Sequence, residues 1–278
     1  MLHKHRSPAV QLSRLSLVRC SPGIFVLRSG SHFVLRRVAL ALVAVAYLAA
    51  APATGQEAAN ERPQHYEIWA GAEAFARVWA LYTGGNYAPF GSIASDGVRL
   101  RVVAGYGQYM GRRTDDLAQD IRFRVGTSFA DLLAGYHKQL GSLTIKILGG
   151  VTLTDRATDD ESVINVGTEL GARALVELWW NFNDRTWTSL DLSWTTLEHV
   201  YGARTRVGWR AWPALSVGLE GGVLGNQDYQ IGRVGAFVRY EWANGELSLS
   251  GGIADNDFEG TSADTRGGYA TFNVLTRF

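Results

Sequence analysis

The chain has 278 residues, enough for one or two soluble domains or for a single membrane barrel, and a net charge of only +1. That balance conceals an asymmetry: residues 1–53 carry seven Lys or Arg and no Asp or Glu, so the remainder is net acidic. Past residue 53 no stretch approaches the ~18 consecutive apolar residues of a helical membrane span. The single cysteine, Cys20, lies ahead of that point, which excludes a disulfide framework and thiolate metal sites from the rest of the chain.

At the start, Arg36 and Arg37 precede an apolar run, Val38–Ala51, and then a cluster of small residues. The run is shorter than the ~20 residues that cross a bilayer, so it reads as a secretory signal cleaved after Ala53, or alternatively after Gly55. The 35 residues ahead of Arg36 are either a genuine extension or the product of a start site placed too far upstream. Arg19 stands where a lipoprotein cleavage site needs a small residue, which argues against lipidation of Cys20. The expected organisation is a leader and signal peptide over 1–53, a short linker over 54–64 and one folded unit over 65–278.

Within that unit the recurring signal is alternation with a period of two, the mark of a strand with two different faces. In Arg233–Trp242, Arg233, Gly235, Phe237, Arg239 and Glu241 oppose Val234, Ala236, Val238, Tyr240 and Trp242. The same pattern returns in 143–153, 170–182, 188–196, 203–212, 215–223 and 247–253. Turn signals between such runs predict about twelve strands, near 65–73, 77–87, 97–110, 120–138, 143–154, 165–182, 186–197, 200–212, 214–225, 229–242, 246–254 and 266–278. From the fourth strand on, tight connections (QLGS, FNDRT, WPA, ANGE) alternate with connections that are mostly longer and polar (DRATDDESV, DNDFEGTSADTR). Outer-membrane barrels are built this way, with short turns on the periplasmic side. Two connections break the rule: 88–97 is long on the short side, and EAFAR (73–77) is short on the other.

A soluble barrel or sandwich also alternates, and periodicity does not say which face meets water. Three features favour the membrane. Aromatics sit near strand ends on the apolar faces (Trp180, Trp194, Trp209, Trp212, Tyr240, Trp242), as an interfacial girdle would. The opposite faces mix charged and small residues, as a wet lumen would. The final strand, TFNVLTRF, closes on Phe278, a residue type with which barrel strands commonly end and which the insertion machinery reads. The expected fold class is therefore all-β: a transmembrane antiparallel up-and-down barrel in the bacterial outer membrane.

The predicted inner faces carry Arg99, Arg101, Arg124, Arg173, Arg204, Arg206, Arg210, Arg233, Arg239 and Arg277 among Glu169, Glu177, Asp191, Glu220 and Glu241. Two arrangements fit: a lumen knitted shut by ion pairs, since buried charge must be paired, or a basic ladder along a polar path. Tyr106 and Trp187 are candidate aromatic stacking surfaces. His65, His137 and His199 are scattered and no HExxH or GxSxG occurs, so no metal, cofactor or catalytic triad is expected. Asp159, Asp160 and Glu161 read as a solvated loop rather than a glycosidase pair. The glycines of GYGQYMG (105–111) are expected to bend a strand or to make room for neighbouring side chains in the lumen.

The stretches DGVRLR with GYGQY (96–109), LLAGYHKQLGSLTIKILGGV (132–151), GTELGARALVELWWN (167–181), PALSVGLEGGVLGNQDY (213–229), GRVGAFVRYEW (232–242) and the closing YATFNVLTRF resemble the BcsS family of cellulose biosynthesis proteins. The resemblance spans about 65–278. It implies an outer-membrane barrel associated with making or exporting cellulose, and it transfers no site residues. With no convincing triad in the sequence, the expected role is non-catalytic: aiding export or assembly of the glucan or scaffolding the secretion machinery. A general small-solute channel and a barrel-embedded lipid- or glycan-modifying enzyme are the alternatives. The expected partners are outer-membrane lipids, the barrel assembly machinery and, from the resemblance, cellulose or other cellulose-secretion components. Nucleic acid is not among them.

Overall fold

A computed structural model describes residues 63–75, 78–114, 120–159, 166–226, 229–258 and 267–278. The expected leader and most of the linker lie outside the described residues. The strands are β1 (Tyr66–Phe75), β2 (Val78–Tyr87), β3 (Gly97–Thr114), β4 (Asp120–Leu140), β5 (Leu143–Thr158) and β6 (Gly167–Asn181). They continue as β7 (Thr186–Thr195), β8 (Tyr201–Trp212), β9 (Leu215–Gly225), β10 (Tyr229–Trp242), β11 (Gly245–Phe258) and β12 (Gly267–Arg277). Each strand pairs with its neighbours in sequence, and β1 pairs antiparallel with β12 to close the barrel. At this seam Glu67 faces Arg277 and Phe75 faces Tyr269 in register. The Tyr66 N–H donates to the Phe278 carbonyl at 3.1 Å, and the Phe278 N–H returns a bond to Tyr66 at 2.9 Å. The apolar end of the chain is thus tied into the sheet.

Alternation along each strand now has a direction. Large apolar side chains point out on strand after strand, with Leu170 69% and Ile253 68% exposed, while Arg101, Glu220 and Arg239 point in and are buried. Apolar surface spread over a whole exterior does not belong in water. A closed strand ladder that leaves no backbone edge is one of the two architectures able to cross a bilayer, and this protein is a transmembrane barrel. Trp180, Trp194, Trp209, Trp212, Tyr240 and Trp242 are all exposed on the outer face. Trp194 lies towards the end of the long connections and the others near the short turns.

The tight turns at 141–142, 182–185, 213–214 and 243–244 gather at one end. Both expected exceptions are real. β1 and β2 form one continuous ladder up to Phe75 and Val78, whereas the β2–β3 connection spans 88–96 on the short-turn side. β3 and β4 also run further than alternation predicts. Met110–Thr114 pair with Asp120–Arg124 past the point where β2 and β5 stop, so the hairpin rises above the rim, and at its base Arg124 exchanges hydrogen bonds with Asp159.

The outward face sets a first prediction. Val234 is more than half exposed and sits mid-strand beside Ile253. Val234→Arg should cost about 2–4 kcal/mol of folding stability if it lies at the bilayer midplane, measured by urea titration of the protein folded into lipid vesicles.

Candidate functional site

The lumen is the site, because every strand delivers alternate side chains to it. It holds a cavity of about 900 Å³ lined from Gln64 and Ile93 at the short-turn end to Phe75 and Ile231 towards the other. Of the sequence-predicted charges, Arg101, Arg173, Arg204, Arg206, Arg210, Arg233, Arg239, Arg277, Glu177, Asp191 and Glu241 line this cavity. Glu220 also points inward but is buried against the wall, where it accepts hydrogen bonds from Arg206 at 2.8 Å and Tyr269 at 2.9 Å. Glu169 pairs with Arg156 nearer the far rim. Arg124 does not belong to the set. It is exposed and in register with Met110 on the outer face, because β4 alternates Phe129, Asp131 and Leu133 inward and therefore turns its even-numbered positions out.

Sequence reasoning missed several partners that complete the charge pattern: Glu67, Glu73, Asp131, Lys146 and Glu246. They are isolated carboxylates or lysines in short runs, and only the register brings them to the arginines. Arg173 meets Asp131 at 3.1 Å, Arg204 meets Asp191 at 3.4 Å, and Arg233 pairs with Glu73. Arg239 holds both Glu241, at 2.9 Å, and Glu246. Every lumenal carboxylate among the described residues has a cationic partner, as expected where charge leaves bulk water.

One group of pairs crosses the lumen. Arg101 on β3 forms a two-point contact with Glu177 on β6 at 2.5 and 2.9 Å, although β4 and β5 stand between these strands. Lys146 on β5 lies 3.6 Å from Glu177 and 3.8 Å from Glu67 on β1. The circuit closes through Asn86, which donates to Glu67 at 2.9 Å and accepts from Arg101 at 2.7 Å. Arg277 donates to Glu67 at 3.0 Å. These six side chains form a polar bar across the barrel near its short-turn end.

The irregular 88–96 connection lies at that same end. Ile93 is buried and lines the cavity, its N–H donating to the Gln64 carbonyl at 2.6 Å. Gly91, at φ +108°, makes the turn that most side chains would resist. Arg99, expected in a charge ladder, serves a different purpose. Its guanidinium donates to the carbonyls of Ser92 at 3.1 Å, Ile93 at 3.0 Å and also Ser95, and lies 3.1 Å from His137. Asp96 anchors the far side of the loop, and hydrogen bonds from the Lys138 ammonium and the Gln139 N–H hold its carboxyl below the usual carboxylate range. The connection that looked too long for its side is a pinned cap on the mouth.

A family model described as "Cellulose biosynthesis protein BcsS" matches residues 67–278, from the second residue of β1 through the end of β12. The chain belongs to the BcsS family. Membership suggests a role in cellulose biosynthesis. Among curated proteins none matches the chain. Solved structures similar to it include the transport unit of the autotransporter AIDA-I from Escherichia coli, at 11% identity and TM-score 0.46, covering 79% of this chain and 91% of that one. The translocator domain of the autotransporter NalP from Neisseria meningitidis is similar at 10% identity and TM-score 0.43, covering 89% and 96%.

Aromatic side chains complete the lumen. Trp187 faces inward but is fully buried, stacked under Trp179 at 4.1 Å between ring centroids. The Arg239 guanidinium sits 4.5 Å from the Trp179 ring. Tyr106, the other expected stacking surface, faces outward beside Trp79. Trp187 lies where a side chain on Gly208 would be, since a Cβ there would come within 2.3 Å of its ring. Gly105 does the same for Phe129, at 2.4 Å, so this glycine makes room in the lumen for a neighbour's ring. Gly208→Ala should therefore destabilise the barrel by about 1–3 kcal/mol through overpacking and shift the emission of the Trp179–Trp187 stack, both readable in one fluorescence-monitored unfolding series.

Proposed function

We propose that the protein is a non-catalytic component of bacterial cellulose biosynthesis, seated in the outer membrane, which aids export or assembly of the glucan or scaffolds the secretion machinery with its lumen held closed at the short-turn end. The polar bar of Arg101, Glu177, Lys146, Glu67, Asn86 and Arg277 carries this reading. An open anion-selective pore keeps its cations free to meet passing ions, whereas here the guanidiniums of Arg101 and Arg277 are already engaged by Glu177 and Glu67. The cap at 88–96 supports the same conclusion from below. Outer-membrane residence is supported by the apolar exterior and the rims of tryptophan and tyrosine.

In planar bilayers the refolded protein should pass little current. Arg101→Ala combined with Glu177→Gln should introduce discrete conductance steps while retaining heat-modifiable migration on dodecyl sulfate gels. Large steps from the unmodified protein would favour a general small-solute channel instead. Deleting the gene from a cellulose-producing host should lower extracellular cellulose, with recovery on complementation; unchanged cellulose would remove the biosynthetic role.

A further inference from the structure

One row of the sheet has a composition unlike the rest of the lumen. In register across β12, β1, β2, β3 and β4 run Asn273, Gly71, Tyr82, Gly105 and Phe129. The two glycines are seats: a Cβ on Gly71 would meet the Tyr82 ring at 2.4 Å, and one on Gly105 would meet Phe129 at 2.4 Å. Two residues nearer the short-turn end, Gly84 seats Trp69 in the same way at 2.5 Å. Trp69, Tyr82 and Phe129 are therefore laid against the wall over glycine backbone, and all three line the cavity. A polar fixture stands at the end of the row. Asn273 accepts a 2.5 Å hydrogen bond from the Tyr82 hydroxyl, leaving its buried Nδ2 with no protein partner.

Charge around the row is balanced pair by pair. Arg173 answers Asp131, Arg204 answers Asp191, and Arg233 answers Glu73. An ion entering this part of the lumen would find each opposite charge already engaged. What the wall offers is ring area together with planar groups able to give and take hydrogen bonds in adjacent positions. A second buried atom on it, Asp131 Oδ1, also lacks a partner, and buried polar atoms call for one. Ring area with a few placed polar groups is the general recipe for a small-molecule site, and a cavity of about 900 Å³ falls within the usual size of such sites.

We infer that the strip Trp69–Tyr82–Phe129–Asn273 is a binding site for a neutral β-linked gluco-oligosaccharide, the sugar rings lying on the aromatic strip and their hydroxyls meeting the planar polar groups. The inference rests on the cellulose reading for the identity of the sugar, and on the pairing of charges for its neutrality. A polyanionic glycan would have to compete with the lumenal carboxylates for their arginines. A fatty acyl chain would leave the polar groups of the facing wall unpartnered.

The test is calorimetric titration of the refolded full barrel in detergent with cellohexaose, maltohexaose, an oligogalacturonate and laurate. Saturable binding of cellohexaose in preference to the other three is expected. Phe129→Leu, which removes the ring but keeps an apolar side chain, and Asn273→Ala should each weaken it by about tenfold, the scale of one lost stacking or hydrogen-bonding contact. Both variants must retain heat-modifiable migration, and Leu170→Ala on the outer face should bind as the unmodified protein does. No binding of cellohexaose, or tighter binding of the acid or of laurate, overturns the inference. If cellohexaose fails to bind while gene deletion still lowers cellulose, the site assignment falls and the biosynthetic role stands. If it binds and deletion leaves cellulose unchanged, the saccharide site stands and the biosynthetic role falls.

Discussion

A backbone inside a bilayer has no water to turn to, so each of its N–H and C=O groups must find a partner within the protein. In this chain that demand converges on the seam between β1 and β12, where residues some two hundred positions apart in sequence exchange hydrogen bonds. Without the seam the other eleven ladders would leave two raw strand edges facing lipid. With it, all local twists and turns are committed to one closed ring, and the alternation of side chains acquires an inside and an outside. The lumen, its charge pairs and its aromatic strip exist because that ring is closed.

Closure creates a second demand inside. Arginines and carboxylates turned into a narrow lumen lose much of their hydration, and they regain it as mutual contacts. Those contacts differ in what they hold. Arg206–Glu220 joins adjacent strands and stiffens the wall, whereas Arg101–Glu177 and Lys146–Glu67 tie separate arcs of the barrel together. Arg99, lacking a carboxylate, spends its donors on loop carbonyls and fixes the cap. One residue type thus builds wall, crossbar and latch, distinguished only by register.

How much of this was legible beforehand follows from the distance over which each signal acts. Alternation and turn chemistry are local, and they locate the twelve strands and the two unequal ends; the tie of the terminal aromatic into the sheet follows from them. The BcsS motifs, spread over many strands, identify the family. Pairing across the lumen is not local. Nothing in the segment around Lys146 announces Glu67, and Asp131 sits in a run that reads as apolar strand. Arg124 misled for a related reason: β4 keeps strict parity for its whole length, so an arginine near a loop falls on the outer face regardless of its chemistry. Tyr106 failed in the same way by a shift of one position. The cap at 88–96 was visible only as an anomaly of length, since its tie to Arg99 depends on three carbonyls whose identity leaves no mark in the sequence.

The glycine seats have a consequence for how such a chain tolerates change. In a water-soluble protein the interior is apolar and jigsaw-packed, and the surface drifts freely. Here the lipid-facing positions ask only for bulk without polarity, so Leu, Ile, Val and Phe are nearly interchangeable there. The inner wall allows less, because a single methyl on Gly71, Gly105 or Gly208 collides with the ring seated over it. The familiar map is turned inside out: the greasy side is the permissive one, and the smallest residues in the protein are its least replaceable.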